Sequence, residues 1–173
     1  MYNEILLGID IGGTNIRAGL FSSKGEQVYM HSLPTLPAYV NWDDPTKQDI
    51  ALDGEIIWRI VCQVCQKIGN YLIENKLVLR GIAVAGVGCS TVCVDQSNKP
   101  LFPIYRYFTG SDLYYRQYVE MLGKKKYFEI TGYPLEKINL AFSLANLKNE
   151  HPKKYAQIDA VLSVSDFINL KMC

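Results

Sequence analysis

Three runs containing Ile, Leu and Val open the chain, at Ile5 to Ile11, Ile16 to Ser22 and Gln27 to Leu33. Between them lie Gly12-Gly13-Thr14-Asn15 and Ser23-Lys24-Gly25-Glu26, both rich in turn formers, so the pattern predicts an antiparallel three-strand meander. Pro34, Pro37 and Pro45 then fall among polar and aromatic residues, which predicts an irregular surface excursion up to Asp49. The period changes after Asp53. Ile57, Ile60, Val61, Val64, Ile68 and Leu72 recur at helical spacing, with Asp53 placed to cap the helix and Glu55 near its positive end. This helix should stop near Asn75.

Downstream, Ile82 to Val87 and Thr91 to Val94 are apolar runs that predict two buried strands separated by Gly88-Cys89-Ser90. Asp95-Gln96-Ser97-Asn98 supplies turn chemistry, and Pro100 and Pro103 hold the chain extended toward Tyr105 and Tyr107. Ser111 is placed to cap a helix toward Leu122, and Leu140, Leu144 and Leu147 mark another that must end before Pro152. Ala160 to Leu162 reads as a short strand, and Ser165 as the cap of a last helix still running at Cys173. The order of strands and helices predicts an α/β domain with a mixed sheet flanked by helices.

Composition narrows the classes. At 173 residues, 49% hydrophobic and 20% charged, the chain can bury one domain core. A net charge of +1 with scattered Lys and Arg gives no footprint for nucleic acid or an anionic membrane, and Lys124-Lys125-Lys126 reads as solvated surface. No apolar stretch approaches the roughly 20 residues of a bilayer span, and no leader pattern precedes Ile5, so a cytoplasmic protein is expected. The odd count of five cysteines suits free thiols, and Cys62 and Cys65, though a C-x-x-C, lie inside the helical pattern with no second pair to complete a zinc site.

The sharpest chemistry is in Ile9-Asp10-Ile11-Gly12-Gly13-Thr14-Asn15-Ile16-Arg17-Ala18-Gly19-Leu20. Two glycines let main-chain N–H groups face an anion, the Thr14 hydroxyl adds a donor, and Asp10 can hold a hydrated Mg²⁺ beside phosphates. The competing reading is a plain tight turn whose glycines serve conformation and whose aspartate hydrogen-bonds the turn. The spacing fits neither G-x-x-x-x-G-K-[ST] nor G-x-G-x-x-G, and the glycines lead into a strand rather than a helix, so P-loop and Rossmann sites are excluded.

That segment resembles the first phosphate motif of the superfamily shared by actin, Hsp70 chaperones, hexokinases and sugar kinases. The resemblance continues through the Asp53 helix, the strand Gly81 to Val87, and Val94-Asp95-Gln96-Ser97-Asn98-Lys99-Pro100-Leu101-Phe102-Pro103, which is similar to the D-x-x-G-K-P-L-x-P hairpin of FGGY carbohydrate kinases. Ile130-Thr131-Gly132, the helix up to Pro152, and Ser165-Asp166-Phe167-Ile168-Asn169 follow as further FGGY-like landmarks, so the likeness covers nearly the whole chain. It implies an actin-like, ribonuclease-H-type ATPase domain, occupying residues 1–173 and incomplete at its C-terminal end. Apolar faces, for instance around Phe167 and Leu170, would then be left uncovered, so the chain alone would be marginal in stability or self-associate; a homodimer is the expected assembly, if any.

The implied activity is ATP- and Mg²⁺-dependent phosphorylation of a pentulose, hexulose, polyol or sugar acid by a two-domain parent protein. Asp10 would organise the metal, Gly12, Gly13, Thr14 and Asn15 would line the phosphates, and Arg17 would support the hairpin, reach a phosphate or form a surface ion pair. Sugar contacts would fall on Val87, Gly88, Cys89 and Tyr107. The catalytic base would come from beyond Cys173, leaving these residues alone inactive. The departures concern the sugar: Val87-Gly88-Cys89 stands where pentulose kinases often have Gln-Met-His, and Tyr107, Thr109 and Ser111 where they often have Trp, Asp and Arg. Ser143 and Asn146 likewise replace a frequent Lys and Trp. A hexokinase-like or ROK kinase and a nucleotide-binding pseudokinase or regulator are the alternatives; the Lys99-Pro100-Leu101 hairpin argues against the first.

Overall fold

The computed structural model describes residues 4–40, 51–88, 90–105, 111–136 and 140–173. The chain runs through strands β1 (Glu4–Ile11), β2 (Asn15–Ser22) and β3 (Gln27–Pro34), a single 3-10 turn at Leu36–Ala38, β4 (Tyr39–Val40) and β5 (Ala51–Leu52). Helix α1 (Gly54–Glu74) leads to β6 (Val78–Gly86), β7 (Thr91–Val94) and β8 (Ile104–Tyr105). Helices α2 (Ser111–Leu122), α3 (Lys124–Thr131), α4 (Leu140–Glu150) and α5 (Pro152–Tyr155) precede β9 (Ala160–Ser163) and α6 (Val164–Met172).

The predicted meander forms, and β6 joins it in parallel beside β1, giving a mixed sheet of order β3-β2-β1-β6. Strand alternation decides its faces. Ile5, Leu7, Ile9 and Ile11 of β1 and Ile16, Ala18 and Leu20 of β2 are buried on one face. Against it α1 lays Ile57, Ile60, Val61, Val64 and Ile68, the stripe read from the sequence. The helix starts where Asp53 Oδ1 accepts the Ile56 N–H at 2.9 Å, and Asn75 ends it. Phe167 and Ile168 of α6 complete the same core.

Several expectations need correction. β6 is not a buried strand: among the described residues only β1 pairs with it, and Ile82 is 50% exposed. β7 is buried but leaves the main sheet, because the turn at Gly88 carries the chain away and β9 takes its hydrogen bonds in a separate antiparallel pair. The excursion after Pro34 is partly core, since Ala38 and Tyr39 are buried and β4 pairs with β5. Ser163, not Ser165, caps the last helix: extended at the end of β9, its Oγ accepts the Asp166 N–H at 3.0 Å and donates to Asp166 Oδ2 at 2.7 Å. Phe167 is fully buried and Leu170 half-buried, while exposed apolar side chains stand on both faces of the sheet, Ile82 and Met172 in a groove on the α1 side and Leu6 and Met30 on the opposite face.

The lysine run also opens a helix, α3, that the apolar pattern does not predict. Gly123 (φ 76°) enters α3 and Gly132 (φ 67°) ends it, both in conformations that favour glycine, and no α3 residue is buried. Solvated surface is nevertheless the right description of Lys124 to Lys126.

Candidate functional site

Asp10 and Arg17 face each other across β1 and β2 on the sheet face opposite α1. Arg17 Nη1 lies 3.3 Å from Asp10 Oδ2, and both side chains are about half exposed (46% and 54%). They sit at one end of a hollow of about 380 Å³ on that face, whose floor includes Gly8, Gly19 and Ala83. A surface pair of this kind holds weakly, so either partner can turn to a ligand.

The connecting hairpin is built by backbone hydrogen bonds. The Gly12 N–H donates to Asn15 O at 3.0 Å, so this amide closes the turn and does not face outward as the sequence reading had it. Gly12 has no positive φ; its need for glycine is contact, since a Cβ there would lie 2.8 Å from Asn15 O. The carbonyls are held too. Gly12 O accepts from Thr35 Oγ1 at 2.8 Å, Gly13 O from Tyr39 Oη at 2.8 Å, and Thr14 O from the Thr35 N–H at 2.9 Å. Among the described residues, the N–H groups of Gly13 and Thr14 have no partner.

The segment after β6 comes to the same place. The Val87 N–H donates to Ile11 O at 3.0 Å, setting Val87 and Gly88 beside the hairpin. Val87 is half-buried and packs on the core, while Gly88 lies in an open turn. Cys89 and Tyr107, the other two candidate sugar contacts, lie outside the described residues, as does Thr109. Ser90 Oγ is buried and makes no hydrogen bond among the described residues.

Thr35 and Tyr39 lie in the segment whose prolines and polar residues predict surface. A signal was available: an antiparallel meander returns the end of β3 to the start of β2, pairing Pro34 with Asn15 and bringing Thr35 to the hairpin. Cys62 and Cys65 line an apolar groove against Trp58, Leu72 and Met172, and burial pushes both thiols up. No group of three metal-ligating side chains occurs among the described residues, and no described helix is long and apolar enough to cross a membrane.

A mixed sheet opening in a Gly-Gly-Thr hairpin, with a half-exposed carboxylate at the strand end, has the actin-like fold expected from the sequence. Residues 5–173 match the N-terminal domain of the FGGY family of carbohydrate kinases, and the chain belongs to that family. The L-fuculokinase of Escherichia coli K12 is 27% identical over 173 residues, 99% of this chain and 36% of the relative. The gluconokinase of Bacillus subtilis is 24% identical over 164 residues, 94% of this chain and 31% of its own. The fold matches that of the xylulose kinase of Rhodospirillum rubrum, with a TM-score of 0.83 at 21% identity over 96% of this chain and 34% of that one. The chain thus spans about a third of the length of these relatives.

Proposed function

We propose that the protein carrying this chain transfers the γ-phosphoryl group of ATP to a hydroxyl of a sugar, polyol or sugar acid, with the 12–15 hairpin receiving the phosphates. The observation that supports this most is that the N–H groups of Gly13 and Thr14, beside the half-exposed Asp10, have no partner among the described residues. Successive outward N–H groups form an anion-binding concavity. Asn15 borders this hairpin at the start of β2.

Asp10 suits a hydrated Mg²⁺, which one or two carboxylates and the substrate phosphates commonly hold, because its carboxylate is accessible and its pairing with Arg17 is easily broken. Such a cation would neutralise charge on the phosphates. Arg17, released from Asp10, would then be free to turn its guanidinium to a phosphoryl oxygen. Catalysis of this kind is mostly positioning, in-line alignment of γ-phosphoryl and acceptor hydroxyl, and the hairpin contributes the fixed donors. Val87 and Gly88 stand beside it, where an acceptor sugar would approach, with Cys89 and Tyr107 proposed as further contacts.

Residues 1–173 are proposed to form one lobe, with the base and the adenosine-binding wall supplied from outside them, consistent with a chain spanning a third of its relatives. A second reading rests on Val87 and Gly88, which bring no polar side chain to the proposed sugar position: nucleotide binding without sugar transfer. A coupled ADP-release assay on the full-length protein, with millimolar MgATP and panels of pentuloses, hexuloses, polyols and sugar acids, separates the two. Sugar-dependent release, reduced on the order of 100-fold or more by Asp10→Ala, is expected, in line with the loss of one charge-stabilising group. Near-normal turnover in Asp10→Ala removes Asp10 from the mechanism, and ATP binding with no sugar-dependent release favours the second reading. The 173-residue chain alone should release no ADP in response to sugar.

A further inference from the structure

We infer that Thr35 and Tyr39 are positioning residues that aim the phosphate-facing amides of the hairpin, an inference that rests on the functional reading above. A trans peptide unit is planar, with its C=O and N–H pointing in opposite directions. The Gly12 carbonyl shares a plane with the Gly13 N–H, and the Gly13 carbonyl with the Thr14 N–H. Thr35 Oγ1 holds the first carbonyl and Tyr39 Oη the second, each at 2.8 Å. Drawing these carbonyls toward the buried 35–39 segment turns the two N–H groups the other way. These are the same two amides that lack a partner among the described residues.

The anchor is itself fixed. Thr35 has no exposure and Tyr39 only 8%. Thr35 occupies the cap position of the 3-10 turn, yet its hydroxyl does not cap that turn and goes to Gly12 O instead. Its own carbonyl accepts the Ala38 N–H at 2.8 Å, and Ala38 O accepts the Asp53 N–H at 2.8 Å, which ties the anchor to the start of α1. A hairpin with two glycines in succession would otherwise sample many peptide orientations. Preorganised donors bind an anion more tightly because they lose less freedom on binding.

The test has two arms, using Thr35→Val, which keeps the shape without the hydroxyl, Tyr39→Phe, and Thr35→Ser, which restores the donor. In the first, amide NMR of the ligand-free 173-residue chain should show Gly13 and Thr14 signals displaced or broadened in Thr35→Val and Tyr39→Phe, while those of α1 stay in place. In the second, the coupled assay on the full-length protein should show KM for MgATP rising about tenfold in each of these variants with KM for the sugar unchanged, and Thr35→Ser close to wild type. Wild-type hairpin signals in both Thr35→Val and Tyr39→Phe, unchanged KM for MgATP, or Thr35→Ser as impaired as Thr35→Val would overturn the assignment. If the wild-type protein turns over no sugar, the functional reading fails on its own, and the amide arm still decides whether Thr35 and Tyr39 orient the hairpin.

Discussion

Replacing Gly12 by alanine tests the hairpin at its tightest point. The added methyl carbon would lie 2.8 Å from Asn15 O, closer than Cβ and backbone oxygen normally approach, and that oxygen belongs to the turn itself. Relief requires the turn to open, which gives up the Gly12 N–H to Asn15 O bond and draws Gly12 O away from Thr35 Oγ1. Each hydrogen bond contributes about 1 kcal/mol net, and the buried Thr35 hydroxyl would lose its acceptor, so a destabilisation of about 2–3 kcal/mol is expected. For a domain of this size that corresponds to a fall in Tm of roughly 5–10 °C. Thermal unfolding by circular dichroism measures it, with Gly88→Ala as the control. A Cβ at Gly88 meets nothing within 4 Å, so that variant should stay within about 0.5 kcal/mol of wild type. If Gly12→Ala melts with the wild type, the turn yields freely and close approach is not what requires glycine there.

Gly69 lies inside α1 with open space around its Cβ position, so Gly69→Ala should raise stability by about 0.5–1 kcal/mol, read from the same melts. Burial pushes the Cys93 thiol up to about 11, so at pH 8 a thiol reagent should label the exposed Cys62 and Cys173 in the folded chain and leave Cys93 unmodified until denaturant is added; mass spectrometry of the labelled peptides reads it. Because the folded pKa is the higher one, the Cys93 contribution to stability is present below about 9 and is lost as pH rises from about 9 to about 11, the range in which the unfolded thiol ionises ahead of the folded one.

The parts of the fold legible in the sequence are those set by local period and turn chemistry. The meander, α1 with its Asp53 cap, α4 and β9 follow from two-residue and 3.6-residue repeats that each element carries within itself. The misread features depend on partners distant in sequence. β6 has the apolar composition of a central strand, but its exposure depends on what packs beside it, and β7 resembles it while pairing with β9, some 70 residues later, rather than with the meander. Ser163 and Ser165 are equally good caps by type; Ser163 wins because β9 ends there in an extended conformation. In the site, Asp10 and Arg17 were legible as residues. That the Gly12 amide closes the turn, while Gly13 and Thr14 keep theirs open, depends on hydrogen bonds that composition does not encode.

Topology explains why one motif gathers the rest of the site. β1 and β6 run parallel, so their C-terminal ends lie at the same edge of the sheet. β2 runs against β1 and begins at that edge, and β3 runs against β2 and finishes there. The 12–15 turn, the Thr35 anchor and the Val87-Gly88 segment therefore converge without any long-range recognition beyond strand pairing. Ligands in open α/β sheets collect at such carboxyl ends, where the chain leaves the sheet and backbone groups are not committed to ladders. A substitution that weakened the β1–β6 pairing would thus separate the proposed phosphate and sugar walls from each other before it disturbed either alone. Among the described residues, the Val87 N–H to Ile11 O bond is the outermost backbone hydrogen bond joining them at that edge.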